Sequence, residues 1–241
     1  MLVAQTRAEI IMTLRRGETL LLTIGIPVLL LVFFSKTHVT ASPTASRINF
    51  LAPGIIALCC MSTSLVALSI ATGFESSYGV LRRMHVTPLG RPRLVGAKIL
   101  GVLLVEALQI GVIVAVAYLL GWHPACGAGA IPQAVLALVL ATAGFCGIGL
   151  FLAGRLKAEV NLAAANGLYL VLLLVSGFVI PTTSFPSSVR GVIVATPSGA
   201  LADALHRLFE SGGSMGTANL VSLCVWALCA PLLAARTFRY D

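Results

Sequence analysis

Ionisable side chains are scarce in this sequence, and one of them lies deep inside an apolar run. Glu106 is near the middle of the apolar residues 94–120, and Gln109 follows on nearly the same face of a helix. A carboxylate at that depth in a bilayer is costly and is a functional candidate by default. It could form hydrogen bonds within a helix bundle, contact a substrate or carry a proton. Asn161 and Asn166 are its candidate partners if the fold brings them close.

The groups that enzymes use are poorly represented. No HExxH zinc motif and no GxxxxGK[ST] phosphate-binding loop occurs, and no serine has a convincing neighbouring base. The two aspartates, Asp203 and Asp241, are too few for a paired metal site, and the six cysteines contain no CxxC spacing. We therefore predict no catalytic residue, metal site or bound cofactor in this chain. Any process driven by ATP would need an ATPase in a separate chain.

The composition is typical of a membrane protein. Of the 241 residues, 58% are apolar and 10% are charged, and the mean hydropathy is +1.01. Soluble domains are about 45–50% apolar and about 25% charged. The net charge of +8 is not accompanied by an aromatic and basic pattern that would indicate nucleic-acid binding. It is better explained by the enrichment of Lys and Arg on the cytoplasmic side of membrane proteins.

Six apolar runs reach or approach the ~20 residues that a helix needs to cross a bilayer. We predict an all-α, polytopic membrane protein with a single transmembrane domain over 1–241. The predicted spans are 19–35, 50–72, 94–120, 131–153, 160–181 and 218–235. Span four contains two pairs of small residues four apart, Ala143/Gly147 and Gly149/Ala153. These pairs predict close helix packing, either within the chain or between two chains.

The basic residues predict the orientation. Six spans place the N-terminal arm, the connections after spans two and four, and the C-terminus on one side. These regions hold twelve of the 16 Lys and Arg residues, which identifies their side as cytoplasmic. We expect a cell-membrane protein with both termini in the cytoplasm. A cleaved signal peptide is the alternative for the N-terminus, but Glu9, Glu18 and the length of the apolar stretch argue against it.

Two segments outside the spans have apolar faces. Residues 2–17 mix aliphatic and charged side chains and predict an amphipathic helix in the membrane interface, or else a simple charged flank. Before span six, VIVA precedes a serine cap in the pair Pro197-Ser198, and Leu201 and Leu205 follow at helical spacing. We predict one or two short outer re-entrant helices there, with Pro197, Leu201 and Leu205 as an outer gate. An ordinary surface hairpin is the alternative.

The connection 74–93 concentrates charge, since it has four arginines and one glutamate in a chain with 10% charged residues. It predicts a short cytoplasmic helix that begins at Phe74 and ends near Thr87-Pro88, because the residue before proline avoids helical geometry. Its apolar side comprises Tyr78 and Leu81, and its charged side comprises Glu75, Arg82 and Arg83. Such a helix can dock on a soluble partner and transmit its movement. A loop that only sets the topology is the alternative.

The same stretch resembles the cytoplasmic loop of ABC-2 type permeases. That loop has an acidic residue, Gly-x-Leu-x-Arg, Thr-Pro-Leu, a basic residue and Gly-x-Lys entering span three. The matching residues here are Glu75, Gly79, Leu81, Arg83, Thr87, Pro88, Leu89, Arg91, Gly96 and Lys98. Residues 176–208 are similar to the family's segment after span five, which has two prolines and a Pro-containing pair of short helices. The likeness covers essentially the whole chain, and it departs at Ser76-Ser77, where charged residues are common in the family.

The resemblance implies a mechanism and partners. Two permease chains, identical or paralogous, would enclose a path, and two copies of a separate ATPase would bind ATP and Mg²⁺ beneath them. The ATPase-coupling residues would be Glu75, Tyr78, Gly79, Leu81, Arg82, Arg83, Thr87 and Pro88, and the substrate path would include Glu106, Gln109, Ser176 and Pro181. We expect an exporter of a lipophilic or amphipathic substrate, such as a drug or antibiotic, a lipid or a glycoconjugate. A proton-coupled transporter or channel that uses Glu106 is the alternative.

Overall fold

The computed structural model describes residues 17–36, 47–78, 91–127, 129–178 and 187–237, and no strand occurs among them. Most of these residues belong to helices that pack against one another. The helices are α1 (Gly17–Lys36), α2 (Arg47–Ser77), α3 (Arg91–Leu119), α4 (Ala130–Ala153), α5 (Ala158–Val175), α6 (Ser187–Ala195), α7 (Pro197–Phe209) and α8 (Thr217–Thr237). The amphipathic helix predicted for residues 2–17 lies outside the described residues, apart from Gly17.

In the described part of the chain, five helices are long and apolar enough to cross a membrane, namely α2, α3, α4, α5 and α8, and Thr23–Lys36 of α1 is a shorter apolar helix. The prediction of an all-α polytopic membrane protein is therefore confirmed. The fifth span is shorter than its predicted range, 160–181, because α5 ends at Val175. Ser176 Oγ donates a hydrogen bond to the carbonyl of Leu173 (2.8 Å), and Gly177 follows with a φ of +76°, a conformation that ends helices.

The second span is the central helix of the bundle. α2 contacts α1, α3, α4, α5 and α7, and most of its apolar stretch is buried. Midway along it, residues Ser62–Ala67 form a π-helical segment, and Ser64 Oγ donates a hydrogen bond to the carbonyl of Cys60 (2.5 Å). Such segments widen the helix locally and are frequent at functional sites. The side chains around the π-helical segment are therefore candidates for a functional site.

Glycines in α4 pack this helix against other helices of the same chain. A Cβ atom at Gly147 would meet the backbone of Ala230 and Pro231 in α8. A Cβ atom at Gly149 would lie 2.8 Å from the carbonyl oxygen of Leu65 in α2. The contact between α4 and α8 is the largest between any two helices in the described part of the chain. Gly147 and Gly149, one glycine from each small-residue pair of span four, thus serve packing within the chain.

The two short helices predicted before the last span are present as α6 and α7, and α7 is buried. Thr196 caps α7, because its Oγ1 accepts a hydrogen bond from the N–H of Gly199 (3.1 Å), and Pro197 occupies the first turn. The cap is therefore Thr196 and not the predicted serine. Leu201 and Leu205 are fully buried, and α7 packs against α2, α4 and α8. This burial excludes an ordinary surface hairpin for α7.

Candidate functional site

A cluster of buried polar side chains lies midway through the bundle. Glu106 is about 22 Å along α3 from Arg91, at 1.5 Å per residue, and is 2% exposed. Thr142 of α4 donates a hydrogen bond of 2.5 Å from its Oγ1 to Oε2 of Glu106. The Sγ of Cys60 in α2 lies 3.3 Å from the same Oγ1. Polar contacts therefore join α2, α3 and α4 at a depth where lipid offers no hydrogen bonds.

Gln109 extends this central polar cluster by one turn of α3. Its side chain is fully buried, and its Oε1 accepts hydrogen bonds from Thr63 Oγ1 (2.9 Å) and Cys59 Sγ (3.6 Å). Thr63 belongs to the π-helical segment, so the cluster lies where α2 departs from regular helix. Within the cluster, Oε1 of Glu106 and Nε2 of Gln109 have no hydrogen-bond partner among the described residues. Buried polar atoms are nearly always paired, so these two atoms call for an explanation.

The two asparagines that sequence reasoning offered as partners for Glu106 lie elsewhere. Asn161 donates from Nδ2 to the carbonyl of Ser69 (2.8 Å) and accepts from Ser69 Oγ (2.9 Å). Ser69 Oγ also lies 2.9 Å from the carbonyl oxygen of Gly149. Asn166 is exposed, and its Nδ2 donates to the carbonyl of Leu162 in its own helix. The observed partner of Glu106 is therefore Thr142, and Asn161 links α5 to α2 nearer the predicted cytoplasmic end.

At the predicted cytoplasmic end, Phe74 and Glu75 of the predicted coupling segment lie in the last turn of α2, and Tyr78 directly follows the helix. Phe74 continues α2 without a break, so it does not begin a separate helix, and α2 ends at Ser77. Glu75 Oε2 accepts a hydrogen bond from Lys98 Nζ of α3 (2.8 Å). Tyr78 is exposed and its ring stacks on Phe74, with centroids 6.4 Å apart. The remaining coupling residues lie outside the described residues: Gly79, Leu81, Arg82, Arg83, Thr87 and Pro88.

Among the described residues, Ser176 of the predicted path and the three predicted outer-gate residues form no hydrogen bond with Glu106 or Gln109. Ser176 is buried and ends α5 by bonding to the carbonyl of Leu173, while Pro181 lies outside the described residues. Pro197, Leu201 and Leu205 are all buried in α7 and contribute to the core of the bundle.

The outer helix α7 is also held by a buried carboxylate. Asp203 Oδ2 accepts hydrogen bonds from Asn219 Nδ2 in α8 (2.8 Å) and from Arg207 Nε in the next turn (2.6 Å). His206 stacks on Phe50 near the start of α2, with ring centroids 4.6 Å apart. These contacts tie α7 to both α8 and α2. A helix held in this way forms part of the bundle wall at the predicted outer end.

Enzyme chemistry gains no support from the described part of the chain. The letters G-x-S-x-G do occur at residues 212–216, but they lie between α7 and α8, without the preceding strand that a nucleophile elbow requires. No group of three or more His, Cys, Asp or Glu side chains is arranged to hold a metal ion among the described residues.

Sequence reasoning identified Glu106 and Gln109 but missed their partners, Thr142 and Thr63. Isolated hydroxyl residues in apolar runs carry little signal, because they commonly bond to their own helix backbone. A usable signal was depth, since Thr63, Glu106 and Thr142 each lie near the middle of a predicted span. Polar residues at matching depth in successive spans predict contact, because unpaired polar groups are costly in hydrocarbon.

These features define a polytopic helical membrane protein, whose described residues include five long apolar helices and a shorter one. A family model described as ABC-2 type transporter matches residues 2–205. The chain therefore belongs to the ABC-2 type transporter family and is the membrane permease component of an ABC transporter. It is a transport subunit and is not itself catalytic. A comparison with curated protein sequences gives no match.

Proposed function

We propose that the chain is the permease subunit of an ATP-driven exporter in the cell membrane. Two permease chains, identical or paralogous, enclose the transport path, and two copies of a separate ATPase bind and hydrolyse ATP with Mg²⁺. The observation that carries the proposal is the family match over residues 2–205. The concentration of twelve of the 16 Lys and Arg residues in four regions supports cytoplasmic termini.

The contact with the ATPase is assigned to the connection between α2 and α3. Tyr78 is 76% exposed at the end of α2, and its stacking on Phe74 presents an aromatic surface at the predicted cytoplasmic end. Aromatic side chains are enriched in protein–protein interfaces, and the four arginines of residues 74–93 supply charge that orients a partner. ATP-driven closure of the ATPase dimer moves this connection and opens the path outward.

A lipophilic or amphipathic substrate is consistent with the surfaces that the spans expose. Six large apolar side chains of α3 and α5 are exposed: Leu100, Leu104, Leu108, Leu170, Val171 and Leu174. Glu106 and Gln109 instead bond to neighbouring helices of the same chain. This supports hydrogen bonding within the bundle as the role of Glu106. A path between two chains would then be lined largely by apolar faces, which suits a drug or antibiotic, a lipid or a glycoconjugate.

A proton-coupled transporter that uses Glu106 is the second candidate. One observation favours it: Oε1 of this buried carboxyl has no partner among the described residues. This candidate predicts transport driven by a pH gradient in vesicles that contain the permease alone. It also predicts that Glu106→Gln abolishes such transport, because the amide cannot release a proton.

Affinity purification in mild detergent tests the leading proposal. We expect a P-loop ATPase to co-purify in stoichiometric amount. In inside-out vesicles that contain both proteins, we expect ATP-dependent accumulation of a fluorescent lipophilic dye. The matched control is the same ATPase with its phosphate-loop lysine replaced, which should bind the permease but not drive accumulation. Purification without an ATPase, together with dye uptake driven by a pH gradient, would contradict the exporter proposal and favour the second candidate.

A further inference from the structure

The ion pair between Glu75 and Lys98 joins α2 to α3 near the two ends of the connection between these helices. The Nζ of Lys98 lies 2.8 Å from Oε2 of Glu75, and the side chains are 1% and 15% exposed, respectively. Glu75 is in the last turn of α2. Lys98 is seven residues into α3 from Arg91, or about 10 Å along the helix axis. The pair therefore bridges the base of the connection between α2 and α3.

The region around this pair is tightly packed. Leu94 and Val95 of α3 are buried with Leu68 of α2 and with Leu150 of α4 in one apolar cluster. A lysine that is 1% exposed in such a region cannot be solvated by water, so its charge requires a partner within the protein. Exposed ion pairs contribute little because water screens them, but this pair is largely shielded. The contact is therefore a persistent link and not an occasional surface contact.

The last turn of α2 separates two kinds of side chain. Glu75 turns toward α3 and is bonded to Lys98, whereas Tyr78, three residues later, is 76% exposed. A docking surface needs side chains that are accessible before the partner arrives, which describes Tyr78. A carboxylate already bonded to a buried lysine would have to break that ion pair in order to bind an ATPase, and breaking a largely buried ion pair is strongly unfavourable.

We propose that Glu75 and Lys98 are a positioning pair that fastens the cytoplasmic ends of α2 and α3 together, so that the connection between them moves both helices as one unit. This inference rests on the proposed function, because it concerns how movement of the ATPase reaches the spans. It changes the role predicted for Glu75 from a contact with the ATPase to a link within the permease.

The consequence for coupling is mechanical. A connection joined to two independent helix ends can be displaced while each helix responds separately. A connection whose two ends are fastened to each other transmits the same displacement to α2 and α3. Ser69 and Asn161 link α2 to α5 less than two turns from Glu75, so the displacement reaches a third span. Loss of the pair should therefore lower the amount of substrate transported per ATP hydrolysed without releasing the ATPase.

The test is a double-mutant cycle in the full permease–ATPase complex. The variants are Glu75→Gln, Lys98→Gln and the two together, and the measured quantities are ATPase retained in the complex and dye accumulated per ATP hydrolysed. Glu159→Gln is the matched control, because Glu159 is an exposed acidic residue in the first turn of α5. Tyr78→Ala is the positive control for loss of docking.

We expect each single variant to lower transport per ATP about tenfold, within the range seen for residues that carry coupling, with the ATPase retained. The double variant should be no worse than either single variant, because each single change already removes the contact between the two side chains and leaves nothing of it for the second change to remove. Losses that multiply in the double variant would overturn the proposal. So would release of the ATPase by Glu75→Gln but not by Lys98→Gln, which is the result expected of a docking residue.

A second measurement needs no ATPase and so separates this inference from the proposed function. The thermal unfolding temperature of the purified permease in detergent should fall in each single variant and recover in part in the double variant. Independent, additive decreases would overturn the ion-pair link even if the exporter proposal held. Conversely, recovery in the double variant would support the link even if no ATPase were found.

Discussion

Replacing Thr142 by valine should destabilise the bundle by about 1.5 kcal/mol, near the upper end measured for hydrogen bonds within membrane proteins. Valine has nearly the shape of threonine but lacks the hydroxyl group. The change removes the 2.5 Å hydrogen bond to Glu106 Oε2 and the 3.3 Å contact with Cys60 Sγ. Because Oε1 of Glu106 already has no partner among the described residues, the carboxyl group would lose its hydroxyl donor and have no other hydroxyl group to replace it there.

The magnitude follows from two bounds. A buried polar group that is left without a partner costs about 1–3 kcal/mol in proteins generally. Interhelical hydrogen bonds inside membrane proteins average about 0.6 kcal/mol and reach about 1.7 kcal/mol. Glu106 is 2% exposed and lies midway through a span, so water cannot compensate for the lost donor. The expected change therefore belongs to the upper part of the membrane range.

Unfolding by increasing amounts of a denaturing detergent would measure this change, with the fluorescence of Trp122 and Trp226 as the signal. Thr142→Ser is the matched control, because it keeps the hydroxyl group and should retain most of the stability. In a Glu106→Leu background, Thr142→Val should lower the free energy of unfolding much less, since the carboxyl group is then absent. Wild-type stability in Thr142→Val, or equal losses in the valine and serine variants, would refute the reasoning.

Three further predictions concern packing, docking and the outer helix. Gly147→Leu should lower the free energy of unfolding by about 1–3 kcal/mol, because its side chain would meet the α8 backbone, whereas Gly167→Leu faces open space and should not. Tyr78→Ala should weaken ATPase retention in detergent at unchanged stability, and full retention would argue against docking there. Leu205→Ala in buried α7 should lower the free energy of unfolding by about 2–5 kcal/mol. It should also slow dye export more than ATP hydrolysis, and unchanged export would argue against an outer gate at this helix.

The span predictions succeeded where a local property decides the structure. Crossing a bilayer requires a long apolar helix, so the run 131–153 closely matches α4 at Ala130–Ala153. The prediction for 160–181 failed at its end because apolar residues continue after the helix stops. There the local geometry of Ser176 and Gly177 ends α5, and hydropathy does not report backbone conformation.

The functional residues divide in the same way. Glu106 could be singled out from the sequence because one carboxylate in an apolar run is conspicuous whatever its neighbours are. The role of Glu75 could not be assigned in this way, since a glutamate at the end of a span reads equally well as a docking charge or as a partner in an ion pair. Its contact with Lys98, 23 residues away, depends on how α2 and α3 are rotated toward each other.

The sequence by itself determined the class of this protein. Composition, span length and the placement of basic residues decide insertion into a membrane and orientation across it without any tertiary contact. The tertiary structure alone decided the partners. It paired Glu106 with Thr142, and Asn161 with Ser69, and it buried α7 inside the bundle. Such pairings depend on the rotation and depth of each helix relative to its neighbours, and these are set by side-chain packing between spans that lie far apart in the sequence.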